Sequence, residues 1–399
     1  MDTTDSNTDS TCDMLKKLQI DKPLVSSNTK LESLPNELLY SVSRYLTTPD
    51  TVCLSLASRT LKLVLYDSCR PKQLQREDRL ATLNRISRDV PDLFCCWSCG
   101  KLHRSENINP PTSPPIIRFS TRPICLTDLK KPAKIRYRSL AINCHETFYD
   151  FQQCHLMLAM KRHYLGEKHG ISLETLFCTE IVEFPEYTTL MSVEPRICHP
   201  DKETHPALVL QVQNWLLLHD TEPSHYIMPI FLRKLPICHH NNESPLLDLF
   251  RTVFRDQGGW GRAKTPISSD YRCRGCGINI QLDLRDCGPE GRAVVVTKWM
   301  DLGAGVDVDD PKWVRLVDAT GVVRAKGGKP DDARQLYQST MTADQLLDSD
   351  PTHRNFLYLL GREYRESMKR VWGTRNGRLV EVWRVPGEST GVAPDREEH

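Results

Sequence analysis

The sequence predicts an α+β protein: a small N-terminal unit of three helices, a linker helix, and a larger mixed α+β domain carrying a β-hairpin. Three observations predict it. Between residues 31 and 65 apolar residues recur at helical spacing. Over residues 278–284 they alternate strictly, and after the turn Cys287-Gly288-Pro289-Glu290-Gly291 a second aliphatic run occupies 293–299, which is a hairpin pattern. No period of roughly 20–50 residues repeats along the chain, which excludes propeller and leucine-rich solenoid arrays.

Taken in order, residues 1–30 are rich in Ser, Thr and Asp and lack periodicity, so a disordered tail is expected. Residues 31–69 form the helical unit. In 70–92, Leu80, Leu83 and Ile86 sit near helical spacing among charges, giving a linker helix that Val90-Pro91 stops. The mixed domain spans 93–385. Within it the pattern predicts a helix over 148–162 ended by Gly166, short β-type runs and turns over 173–236, and a helix over 246–254. After the hairpin, residues 336–371 read as helical and 378–384 as a last strand. Residues 386–399, with Gly, Pro and charges, read as a second disordered tail.

The helical unit is the most specific part. Ser33 is placed to cap and Pro35 near the first helical turn, where a missing N–H costs nothing. Leu38, Leu39, Val42, Tyr45 and Leu46 then fall on one face. Thr48-Pro49-Asp50 restarts the chain as cap, first-turn proline and first-turn acid, and Leu61, Leu63, Val64 and Leu65 make a third run. So few residues seldom bury enough surface to be stable alone, so this apolar face wants a partner.

The strings Leu34-Pro35-x-Glu37-Leu38-Leu39, Val42-x-x-Tyr45-Leu46, Pro49-Asp50 and Leu54-Ser55-Leu56-x-Ser58-Arg59 resemble the F-box. That resemblance implies docking onto a Skp-family adaptor, and through it a cullin, by Leu34, Pro35, Leu38, Leu39, Val42, Leu46 and Leu54.

Formal net charge is +2, so no field argues for nucleic acid or an acidic membrane surface. The densest apolar patch, Trp215-Leu216-Leu217-Leu218, is far too short to span a bilayer. The first residues are polar and acidic, the opposite of a signal peptide. A soluble intracellular protein of cytoplasm or nucleus is expected. In such a compartment its 15 cysteines are thiols or metal ligands rather than a disulfide framework.

Two segments share a pattern, Cys96-Trp97-Ser98-Cys99-Gly100 and Cys273-Arg274-Gly275-Cys276-Gly277. A two-residue spacer lets both thiolates reach one ion at about 2.3 Å, and a following glycine permits the left-handed turn that closes such a knuckle. The strand after the second knuckle is the setting of a zinc ribbon rather than of a redox Cys-x-x-Cys. Cys95 would leave a three-residue spacer to Cys99, so Cys96 is the better donor. Two arrangements stand open for one or two structural zinc ions. Either the knuckles converge on one four-cysteine site, or Cys238 and His240 join Cys273 and Cys276 while Cys96, Cys99 and His103 form a separate site short of one ligand.

The string 88–103, Met160-Lys161-Arg162-His163-Tyr164-Leu165-Gly166-x-x-His169-Gly170, the Cys238-x-His240 pair, Tyr271-Arg272-Cys273-x-x-Cys276, and the string 295–303 are similar to a group of fungal F-box proteins with a cysteine-containing C-terminal domain. The likeness covers most of residues 31–313. It implies a non-enzymatic adaptor of a Skp-cullin-F-box (SCF) ubiquitin ligase that recruits an unknown protein target for ubiquitin-dependent degradation. The doubled Cys95-Cys96 and His239 inside the Cys-x-His pair depart from the pattern and leave the ligand choice open there. Three other classes are weaker on the residues. A RING-type ligase needs alternating ligand pairs that do not follow Cys99 and His103. A zinc-ribbon nucleic-acid or protein binder outside ubiquitination would rest, for nucleic acid, on Arg272 and Arg274 alone. A thiol hydrolase lacks a nucleophile motif around Cys96 or Cys99.

Overall fold

The computed structural model describes residues 31–65, 74–96, 99–113, 140, 142, 149–200, 205–219, 231–233, 235, 237, 238, 240, 251, 267–307, 310–317, 332–341, 351–366, 368–375 and 378–384. The chain divides into two compact units, Met1–Glu106 and Asn107–His399. The first knuckle therefore folds with the N-terminal helices and not with the domain begun at residue 93. Both predicted tails and the helix over 246–254, apart from Arg251, lie outside the described residues.

In the first unit, α1 (Asn36–Tyr45), α2 (Thr48–Ala57) and α3 (Arg59–Leu65) are the three expected helices. Pro35 takes the N-cap position of α1 with no side-chain cap, so Ser33 does not serve. The cap of α2 falls one residue earlier than the sequence pattern placed it: Thr47 accepts from the Asp50 amide, and Pro49 sits inside the first turn. Leu39, Val52, Leu61 and Leu65 are buried between the helices. The linker helix α4 (Arg76–Asp89) runs over the middle of its expected span. Its Leu80 and Leu83 pack against Cys95 and Leu102 of a short hairpin, β1 (Leu93–Cys96) and β2 (Lys101–Arg104).

The second unit is built on an antiparallel sheet in the order β6-β7-β8-β5-β4-β3-β10-β9. Its strands are β3 (Cys178–Glu183), β4 (Tyr187–Cys198), β5 (Ala207–Leu218), β6 (Ile267–Arg272), β7 (Asn279–Asp286), β8 (Arg292–Asp301), β9 (Lys369–Arg375) and β10 (Arg378–Arg384). The predicted hairpin is β7–β8, with Leu282 opposite Val296. The short runs expected over 173–236 are instead dominated by two 12-residue strands, β4 and β5. Every residue of β5 is buried, because the sheet is covered on both faces and the strand need not alternate. Pro195 lies past Val193, the last β4 residue paired with β3, where the strand is an edge on that side.

On one face, Leu208, Leu210, Val212, Leu216 and Leu218 of β5 meet α5 (Gln153–Leu165) and α6 (Pro311–Val317) in the main core. The helix α5 starts later than expected and ends as expected at Gly166, whose φ is +92°. On the other face, Trp215 and Leu217 pack with α8 (Pro351–Leu360), while Val209 and Trp299 pack with α7 (Ala333–Ser339). The helical reading of 336–371 runs too far: α9 (Arg362–Glu366) closes it, and residues from Lys369 belong to β9. Among the described residues no helix is long and apolar enough to cross a membrane.

Candidate metal centres

Each knuckle is the turn of a hairpin. Between β6 and β7 the Gly277 amide donates to the Cys273 carbonyl at 2.9 Å, and Gly277 takes φ +79°. Between β1 and β2 the Gly100 amide donates to the Cys96 carbonyl at 2.8 Å, and Gly100 takes φ +64°. Only a residue without Cβ adopts that conformation without strain, which is why the glycine follows the second cysteine in both.

The donor atoms gather as two groups, Cys238, His240, Cys273 and Cys276 in one, and Cys96, Cys99 and His103 in the other, each lying within 4.8 Å of one another. This is the two-centre arrangement, and either group could hold a metal ion. The larger group is rooted in the main core, since Cys273 and Cys276 belong to it and Cys238 packs against it. Cys238 Sγ lies 3.6 Å from Cys273 Sγ. Sulfurs bonded at about 2.3 Å to a tetrahedral ion stand about 3.8 Å apart, so the spacing fits. His240 Nδ1 is buried without a hydrogen-bond partner. The imidazole lies against Gly275, where an added Cβ would sit 2.6 Å from His240 Cδ2 and 2.8 Å from Cγ. Gly275 thus admits the fourth donor. In the sequence, the small residue inside the second spacer is the signal for it, apart from the glycines that follow the cysteines.

The four donors are close enough to shift one another's proton affinities. The Cys238 and Cys273 sulfurs hydrogen-bonded to His240 push its imidazole up to about 10. Hydrogen bonds from Cys238 and Cys276 hold the Cys273 thiol far below its usual range, while hydrogen bonds with Cys238 and Cys273, and then burial, drive Cys276 up.

The smaller group follows from strand register. Phe94 pairs with His103 and Cys96 with Lys101, which puts Cys96 and His103 on one face of the β1–β2 hairpin and Cys95 with Leu102 on the other. Cys95 is 1% exposed, and burial pushes its thiol up to about 12. Strand alternation thus places Cys96, and not Cys95, on the face of His103. Cys99 Sγ lies 3.1 Å from His103 Nε2, and the Cys96 and Cys99 sulfurs raise the imidazole to about 9. Among the described residues no fourth donor joins this group.

The residues expected to dock an adaptor divide. Pro35, Leu38 and Val42 are exposed, while Leu34, Leu46 and Leu54 are half-buried. Leu39 is 1% exposed and belongs to the interior of the three helices, so its expected place on the docking face is corrected. The missed surface residues are Tyr45, 91% exposed, and Leu63, 85% exposed, with Tyr40 and Leu56 beside them in the exposed class. Tyr45 carried a signal, since it shares the helical face of Leu38 and Val42; Leu63 sits in too short a helix for periodicity to orient it. No family model, curated protein or solved structure matches the chain.

Proposed function

We propose that the chain is a non-enzymatic F-box adaptor subunit of an SCF-type ubiquitin ligase. Residues 31–69 bind a Skp-family protein, and the larger unit recruits a protein target. The adaptor acts by proximity, raising the effective concentration of target lysines near a conjugating enzyme that other subunits supply. The observation that carries this reading is the distribution of exposed apolar side chains. Of the ten large hydrophobic residues that the described surface exposes, seven lie in the three-helix unit: Leu31, Leu38, Tyr40, Val42, Tyr45, Leu56 and Leu63. Monomers rarely expose apolar side chains in such concentration unless a partner covers them. The Leu34-Pro35-x-Glu37-Leu38-Leu39 string on the same helix gives that partner its class.

In the same reading both cysteine–histidine groups hold structural zinc, bracing two hairpin turns. Sulfur and imidazole donors at tetrahedral spacing are the set that zinc takes in closed sites. The test is co-purification of the full chain with a Skp-family adaptor, against the variant Leu38→Asp/Val42→Asp. Loss of the adaptor with the chain still folded is expected; a variant that keeps it ends the docking assignment. Metal content is measured on the same preparations, with two zinc ions per chain expected.

A further inference from the structure

We propose that Cys238 and Cys273 are a peroxide-sensitive pair, whose oxidation joins the two sulfurs as a disulfide and takes two of the four donors away from the larger centre. The inference rests on the zinc reading above and adds to it a means of emptying that centre.

Distance, access and connectivity carry it. The two sulfurs lie 3.6 Å apart, so a bond of about 2.05 Å needs an approach of about 1.5 Å. The backbone of Cys273 is fixed on both sides, its amide donating to the Ile278 carbonyl at 2.9 Å and its carbonyl accepting from the Gly277 amide at 2.9 Å. Side-chain rotation therefore makes the approach. Cys238 is half-buried, whereas Cys273 and Cys276 are 2% and 9% exposed, so a small oxidant meets Cys238 first. The pair also spans two segments 35 residues apart, and a disulfide between them closes the same loop that a shared ion would close. The three donors of the smaller centre come from one hairpin, so oxidation there adds no tie between distant segments.

The chemistry needs hydrogen peroxide as the oxidant. The Cys238 thiolate attacks one peroxide oxygen; an S–O bond forms, the O–O bond breaks, hydroxide leaves and a sulfenic acid remains. The Cys273 thiolate then attacks the Cys238 sulfur; the S–S bond forms, the S–O bond breaks and a second hydroxide leaves. Two thiolates give up two electrons, and one peroxide takes them with two protons from solvent to become two waters. His240 and Cys276 remain, two donors where a closed tetrahedral site takes four. A dithiol reverses the change by exchange.

The test uses the full-length, zinc-loaded chain carrying Cys99→Ser, which leaves one centre to read. Hydrogen peroxide is added stepwise, released zinc is followed with a chromophoric chelator, and disulfides are mapped by mass spectrometry of alkylated, unreduced peptides. Release of zinc in step with a Cys238–Cys273 linked peptide, and its full rebinding after dithiothreitol, are expected. Cys276→Ser keeps both sulfurs of the pair and should form the same linked peptide. Should the Cys99 variant fold poorly, the linkage map of the wild-type chain reads the same pair. A Cys273–Cys276 linkage as the first product, Cys238 carried to sulfinic acid without linkage, or zinc lost before any linkage overturns the proposal. An untreated chain without zinc ends the zinc reading instead, and its linkage map then decides the pair separately.

Discussion

Replacing Gly275 by alanine should weaken metal binding at the larger centre without touching a ligand. Gly275 does not adopt a positive φ, so alanine fits the backbone, and the perturbation is steric. The new methyl would meet His240 Cδ2 at 2.6 Å, where ordinary contact begins at 3.4 Å. The imidazole or the turn must therefore shift by about 0.8 Å, against a tolerance of about 0.2 Å in metal–ligand distances. A displacement of that size removes the imidazole from a regular tetrahedron, and a loss of affinity of about 10–100-fold follows, the range for disturbed ligand orientation. The assay is zinc competition against a chromophoric chelator, in a Cys99→Ser background so that one centre is read. A double-mutant cycle sharpens it: in a His240→Ala background, Gly275→Ala should cost little, because the group it strikes is gone. Unchanged affinity in the first background, or an equal loss in both, would refute the argument.

Other outcomes follow from burial and charge. Leu39→Ala should destabilise the three-helix unit by about 2–5 kcal/mol, while Leu38→Ala, on the same helix but exposed, should cost under about 1 kcal/mol, as read by denaturant unfolding. Cys95→Ser should leave the metal count unchanged and Cys96→Ser should lower it by one ion, because strand alternation turns only the second toward His103. Burial pushes the Cys198 thiol up from 9.0 to about 11. The folded state therefore holds this proton more tightly than the unfolded chain. The resulting stabilisation is present in full below pH 9 and is lost between about pH 9 and 11. Cys198→Ala should flatten that part of the stability–pH profile; an unchanged alkaline slope would exclude Cys198 as its source.

What could be read from residue order was local. The glycine turns of both knuckles and the β7–β8 hairpin are short-range patterns and stand where the sequence put them, while the helix restart before Pro49 is displaced by one residue. The long strands β4 and β5 did not show as strands because burial on both faces erases alternation, leaving Leu-rich runs that periodicity cannot orient. Nothing in Lys369-Arg370-Val371 marks in sequence the change from helix to pairing with β10. At the larger centre the ligand types are legible and their association is one of two arrangements the sequence leaves open: Cys238 and Cys273 lie 35 residues apart, and the fold brings them to 3.6 Å. Leu39 and Leu38 are neighbours on one apolar run, and which of them faces inward depends on how α1 meets α3, a tertiary fact.

The 35-residue separation also makes an ion at the larger centre a cross-link. Closing a loop of that length removes unfolded-chain entropy worth about 3–4 kcal/mol, comparable to a disulfide, in a chain whose thiols need not oxidise. The cost of such closure grows only logarithmically: doubling the loop adds about 0.6 kcal/mol. The number of residues between His240 and the start of β6 at Ile267 therefore bears only weakly on what such a cross-link contributes. A metal clip of this kind ties the edge strand of the sheet to Cys238 and His240 almost independently of how much chain separates them in sequence.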